Sequence, residues 1–266
     1  MLDIWKENTG VRFGHIDRSD RLTLGSIFSF FQEAAISHAE ALGVGREGMA
    51  RNGQAWVLSR MSIFAKRRPL YWENIEVSSW PRGCEKLFAI RDYLIRDTQG
   101  SDLVRGRSCW LVLDMEKRRP LRVQPIVDLI PHNEGIDAFS SIQPGLDSRE
   151  NLTNISERRA LYSDIDYFGH VNNARYIQWI QDAADMDILT KTDQMRFDIN
   201  YLSEVLPGET VELWACAIEE SGHDGAVDYP SQGGPSFAFE GRRPGSDKVT
   251  FRAELRTSRS SESCTA

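Results

Sequence analysis

Between residues 164 and 176 the chain reads Asp-Ile-Asp-Tyr-Phe-Gly-His-Val-Asn-Asn-Ala-Arg-Tyr, gathering two carboxylates, an imidazole and two carboxamides around one glycine. Asp166 supplies a carboxylate able to take a proton from water or to attack a carbonyl itself. His170 carries a ring that can orient a carbonyl or move a proton. Asn172 and Asn173 precede a strongly apolar run with helical spacing. Either suits its N-cap, because a side-chain oxygen there satisfies free backbone amides. The cluster then sits at the positive end of a helix, where charge developing on a carbonyl oxygen is stabilised. Attack on an activated carbonyl is the chemistry these residues suit. Each also has a plainer role. Asp166 can hold a turn through local amides, His170 can bond a neighbouring carboxylate or backbone group, and Asp164 reads as structural. Asp164, Asp166 and His170 are metal-ligand types, but no further cysteine or histidine converges on them, so neither metal nor cofactor is expected.

The elements that must position this cluster occur twice. Residues 13–35 and 162–184 align without a gap at an offset of 149, with Phe13 on Tyr162, Ile16 on Ile165 and Asp17 on Asp166. Phe28-Ser-Phe-Phe-Gln-Glu-Ala-Ala35 falls on Ile177-Gln-Trp-Ile-Gln-Asp-Ala-Ala184. A twofold repeat indicates paired domains rather than a solenoid. Helices are expected over 24–42 and 173–189, each apolar around much of its circumference and therefore buried. Strands are expected at Gln54–Lys66, Asn74–Trp80, Leu87–Arg96 and Leu103–Asp114, then at Arg196–Leu202, Thr210–Ile218, Ser236–Arg242 and Lys248–Thr257. The runs are rich in Val, Ile, Trp, Tyr and Phe, and are separated by turn residues such as Pro81-Arg-Gly83 and Thr98-Gln-Gly100. The Gly- and Ser-rich stretch 221–234 reads as a loop. An α+β protein follows, with each half a long helix wrapped by an antiparallel sheet: a tandem, or double, hotdog. Its parts are an N-terminal domain over 1–123, a linker over 124–153 that lies over the halves, a second domain over 154–257 and a polar tail over 258–266.

A chain of 266 residues with 41% hydrophobic content and seven tryptophans fits a folded globular protein, long enough for one large domain or two small ones sharing a core. A net charge of −7 argues against nucleic acid as a partner. The basic clusters Lys66-Arg67-Arg68 and Lys117-Arg118-Arg119 are either solvated surface or a meeting point for an acidic partner. The first residues lack a signal-peptide pattern, and no stretch approaches the ~20 apolar residues of a membrane span. Cys84, Cys109, Cys216 and Cys264 show no CxxC pair. A cytoplasmic protein with reduced thiols and no membrane partner is expected, with homodimerisation left open.

The segment from Asp164 to Tyr176, Asn200-Tyr-Leu-Ser-Glu204, Val77-Ser-Ser-Trp-Pro81 and Arg91-Asp-Tyr93 together resemble the acyl-acyl carrier protein thioesterases, across about residues 10–257. The resemblance implies hydrolysis of fatty acyl-acyl carrier protein to free fatty acid, with acyl carrier protein as the partner. It implies catalytic or near-catalytic roles for Asp166, His170 and Glu204. Asp166 with Gly169-His-Val-Asn-Asn173 also resembles single-hotdog acyl-CoA thioesterases, so coenzyme A is the rival carrier. The chain departs from the pattern at Phe168, where many family members have asparagine. A phenyl ring cannot donate to a thioester oxygen, so backbone amides at the helix start, near Asn172 and Asn173, must do so, or activity is reduced. A hotdog dehydratase or hydratase is disfavoured because the polar cluster precedes the helix. A non-catalytic acyl-binding module is the other alternative. In the first half Arg21-Leu-Thr-Leu24 replaces His-Val-Asn-Asn. That half, with its long helix and the strands bearing Trp56, Trp80 and Trp110, is expected to hold the acyl chain.

Overall fold

A computed structural model describes residues 3–139, 145–218, 230 and 233–258. The expected tail and most of the expected 221–234 loop lie outside the described residues. In chain order the elements are β1 (Trp5–Gly10), α1 (Leu24–Ala41), α2 (Arg46–Arg51), β2 (Gln54–Ala65), β3 (Asn74–Glu85), β4 (Phe88–Asp97), β5 (Asp102–Asp114) and β6 (Arg119–Leu121). They continue with α3 (Gln124–Val127), β7 (Thr153–Arg159), α4 (Asn173–Ala183), α5 (Met186–Lys191), β8 (Met195–Tyr201), β9 (Thr210–Ala217), β10 (Gly233–Arg242) and β11 (Val249–Ser258).

All strands join one antiparallel sheet in the order β1-β3-β4-β5-β2-β8-β11-β10-β9-β7, with β6 paired to β5. The order is the same in each half, read from either edge to the centre. The halves meet at the β2–β8 seam, where Arg60 to Ala65 run opposite Asn200 to Met195. Each half wraps its sheet around one helix, and the fold is the tandem hotdog.

Periodicity explains why α1 and α4 occupy those centres. Leu24, Ile27, Phe28, Phe31, Ala34, Ala35 and His38 are buried along α1, and Ala174, Tyr176, Ile177, Trp179 and Ile180 along α4. Each large apolar side chain so buried contributes about 1.5–3 kcal/mol. Phe31 stacks on Tyr93 at 4.8 Å and leans on Gly106, where an added Cβ would meet its ring at 2.6 Å. Glycine there lets the helix approach the sheet. The helices also touch each other, the Gly25 amide donating to Gln181 Oε1 at 2.9 Å. No helix among the described residues is long and apolar enough to cross a membrane.

Several local expectations change. The second helix stops at Ala183, because Ala184 is extended and Asp185 caps a new helix by accepting from the Asp187 amide. Pro81-Arg-Gly83 does not end a strand but forms a bulge within β3, with Gly83 at φ +94°. β1, β6 and β7 carry no strong apolar alternation and are additional to the strands expected. Trp80 faces away from α1. Its indole donates to the Ile136 carbonyl at 2.7 Å and packs with Phe64, Leu94, Ala138 and Phe139 beneath the connecting segment. It therefore lines no chamber beside the helix. The same connection later crosses the outer face of the second half, where the Leu146 amide donates to Asn200 Oδ1 at 2.7 Å and Arg149 pairs with Glu254.

Candidate active site

The segment before α4 is a tight turn that the sequence builds from within. Asp166 Oδ1 accepts the Phe168 amide at 2.9 Å, the Gly169 amide donates to the Asp166 carbonyl at 3.0 Å, and the Asp166 amide donates to the His170 carbonyl at 2.9 Å. Closing this turn needs a left-handed residue, and Gly169 stands there at φ +85°. The Asn172 amide donates to Asp164 and the Val171 amide to the Val205 carbonyl, which ties the turn to the chain after β8.

The turn brings Asp166 and His170 together. His170 Nδ1 lies 3.6 Å from Asp166 Oδ2 and 3.4 Å from the Val171 carbonyl oxygen. A neutral ring carrying its proton on Nδ1 can donate toward these two acceptors, which leaves Nε2 as its basic nitrogen. Both side chains are partly buried but reach solvent. Asn172, not Asn173, is the N-cap, its Oδ1 accepting the Ala174 amide at 2.9 Å. The Asn172 carbonyl takes the Arg175 amide, and Asn173 offers its carbonyl to the hydroxyl of half-buried Tyr201 at 2.9 Å. The Asn173 amide, first in the helix, has no acceptor among the described residues. Burial holds Tyr201 and Tyr176 well above the ordinary phenol range, so both stay neutral props beneath the turn.

Phe168 is 54% exposed, and its ring lies nearly parallel to that of His170, with centroids 6.0 Å apart. It walls the imidazole, and only its amide engages Asp166. Glu204 is not joined to His170. Its carboxylate accepts from Arg118 Nη2 at 2.9 Å, a residue of the first half. Sequence reasoning missed that pair and also missed Arg46, whose guanidinium sits 4.2 Å from the Tyr167 ring centroid. The Lys117–Arg119 cluster was the visible signal for the first; none pointed to the second.

The first half repeats the same turn with a different outcome. Ser19 and Asp20 donate to Asp17 as Phe168 and Gly169 do to Asp166, and the Asp17 amide donates to the Arg21 carbonyl at 2.9 Å. Asp20 takes the left-handed position at φ +58°, and Thr23 is the N-cap. The Leu22 amide donates to the Pro69 carbonyl as Val171 does to Val205, which sets Arg68 where Glu204 stands in the second half. Arg68, only 1% exposed, turns inward and binds Asp17 Oδ2 at 2.5 Å and the Leu189 carbonyl at 2.8 Å. Burial works to raise the Asp17 carboxyl, but hydrogen bonds from Ser19 and Arg68, with the Arg68 charge, hold it below the usual range. One acid is neutralised; its counterpart is not.

Comparison with known proteins gives the family to which both halves are similar. Family models for the acyl-ACP thioesterase N-terminal and C-terminal domains match residues 3–129 and 148–236. A chloroplastic palmitoyl-acyl carrier protein thioesterase of Arabidopsis thaliana is 27% identical over 221 residues, 76% of this chain and 52% of that one. An acyl-[acyl-carrier-protein] hydrolase of Cuphea viscosissima is 24% identical over 237 residues, 82% of this chain and 56% of that one. The chain thus spans about half the length of these plant relatives. The crystal structure of an acyl-ACP thioesterase from Bacteroides thetaiotaomicron superposes with a TM-score of 0.79 at 25% identity, covering 96% of this chain and 97% of that one.

Proposed function

Because the chain belongs to the acyl-acyl carrier protein thioesterase family, we propose that it hydrolyses fatty acyl-acyl carrier protein to free fatty acid and the carrier's thiol, ending chain elongation. The observation that carries this reading is the unequal fate of two equivalent acids. Arg68 neutralises Asp17, whereas among the described residues the Asp166 carboxylate keeps only an amide and an imidazole as partners. A free carboxylate beside an imidazole at a helix start can activate water next to a thioester.

In this mechanism Asp166 takes the proton of a water attacking the carbonyl carbon, or attacks that carbon itself to form an acyl anhydride that water then hydrolyses, releasing the fatty acid and restoring the carboxylate. The carbonyl oxygen becomes anionic and is met by the free Asn173 amide at the positive end of α4. Cleavage of the C–S bond then releases a thiolate, which takes a proton delivered through His170. Asn172 acts as the cap that fixes this amide, and Phe168 as a wall. The first half, residues 1–123, holds the acyl chain, and the second, 154–257, does the chemistry.

Release of free thiol from one acyl chain presented on acyl carrier protein and on coenzyme A tests the reading. Faster release from the protein-borne chain is expected. Preference for coenzyme A would transfer the protein to the rival carrier, and acyl binding without thiol release would make it a binding module. Phe168→Asn is expected to keep or raise activity, within about threefold, because a backbone amide already serves the oxygen. A loss of tenfold or more in kcat/KM would show that the ring shapes the site.

A further inference from the structure

The first half brings two basic side chains to residues next to this site. Arg46, which opens α2, covers Tyr167, the residue after Asp166. Arg118 stands at the tip of the β5–β6 turn at φ +50° and bonds Glu204, the residue before the Val205 carbonyl that anchors Val171. The two are structurally linked, because the Met115 amide donates to the Gly53 carbonyl just after α2. Lys117 and Arg119 flank Arg118 and are exposed. The acids of the turn, Asp114 and Glu116, offset part of this charge, but three cations, Lys117, Arg118 and Arg119, stand against these two acids, and Asp114 Oδ1 also accepts the Glu116 and Lys117 amides.

The Arg118–Glu204 pair is open to water, with side chains 76% and 45% exposed. An exposed pair of this kind exchanges readily for a stronger partner. A phosphate is such a partner, offering a guanidinium two parallel charge-assisted hydrogen bonds. Thioester substrates of the class proposed above arrive on a pantetheine arm that ends in a phosphate.

We propose that Arg118, supported by Lys117 and Arg119, receives the phosphate of the substrate's pantetheine arm and gives up Glu204 in exchange. Glu204 thereby leaves Arg118 only when a phosphate-bearing carrier is seated. The exchange makes no covalent bond. It selects carrier-borne thioesters over simple ones, and it explains why an acid beside the site is parked on an arginine of the other half. This inference rests on the thioesterase reading.

The test compares S-acyl-4′-phosphopantetheine with S-acyl-pantetheine, the same acyl chain with and without phosphate, on the full chain. Arg118→Gln is expected to lower the ratio of their kcat/KM values about tenfold, mainly through KM. Glu204→Gln removes the competitor for Arg118 and is expected to lower KM severalfold for the phosphate-bearing substrate alone. A ratio that stays flat in Arg118→Gln, whether both substrates slow together or neither responds, overturns the proposal. So does a Glu204→Gln change in KM that is equal on both substrates. Wild-type cleavage of the two thioesters upholds the thioesterase reading whatever the ratio does, so a flat ratio removes the phosphate site alone. Repeating Arg118→Gln on acyl carrier protein and on acyl-CoA then assigns the phosphate to the carrier that suffers the larger loss.

Discussion

Asp166→Asn is expected to lower kcat for thiol release by a factor on the order of 10²–10⁴, the range lost when a positioned proton acceptor is removed. Stability should barely change. An asparagine oxygen can still accept the Phe168 amide that Asp166 Oδ1 accepts at 2.9 Å, so the turn closes as before. What disappears is the negative charge beside His170 Nδ1 and the basicity needed to activate water. Thiol-release kinetics together with thermal melting check both halves of this expectation. Near-normal turnover in a folded variant would remove Asp166 from the mechanism, and a lost melting transition would recast it as a structural acid.

The same substitution in the first half should have the opposite profile. Asp17→Asn leaves the Arg68 guanidinium, 1% exposed, without the carboxylate it binds at 2.5 Å. Breaking a buried pair by removing one partner costs about 3–5 kcal/mol, because the remaining charge stays desolvated. Arg68 also holds the Leu189 carbonyl in the other half, so the loss should be felt across the junction of the halves. Activity per folded molecule should remain close to wild type, which denaturant unfolding alongside active-site kinetics would reveal. The pair also predicts acid sensitivity. The folded Asp17 carboxyl titrates below its unfolded value, so its stabilisation is complete above the ordinary carboxylate range and is lost as pH falls through the depressed folded value. A stability change under ~1 kcal/mol in Asp17→Asn, with an unaltered acid limb, would mean that Arg68 is satisfied by carbonyls alone.

Elements whose stability is written in nearby residues were legible. Gln54, Asn74, Asp114 and Thr210 were placed as strand ends where they stand, and α1 departs from its expected span only at its last residue. The alternation and helical spacing of apolar side chains decide these elements before any long-range contact forms. The failures are equally physical. β1 and β7 are edge strands whose pairing on β3 and β9 is backbone hydrogen bonding, which leaves little mark on side-chain type. Pro81 looked like a stop, but a bulge absorbs its missing donor inside β3.

At the site, the sequence by itself determined the Asx turn at Asp166, the left-handed glycine, the adjacency of His170 and the capped start of α4. Each rests on contacts within a few residues, fixed by local backbone geometry. Tertiary structure alone decided which acid is neutralised. Asp17 meets Arg68 across 51 positions and Glu204 meets Arg118 across 86, separations that only strand order and register can close. Two copies of one turn therefore carry the same local hydrogen bonds and opposite electrostatics, because the charge that reaches each of them arrives from elsewhere in the sheet.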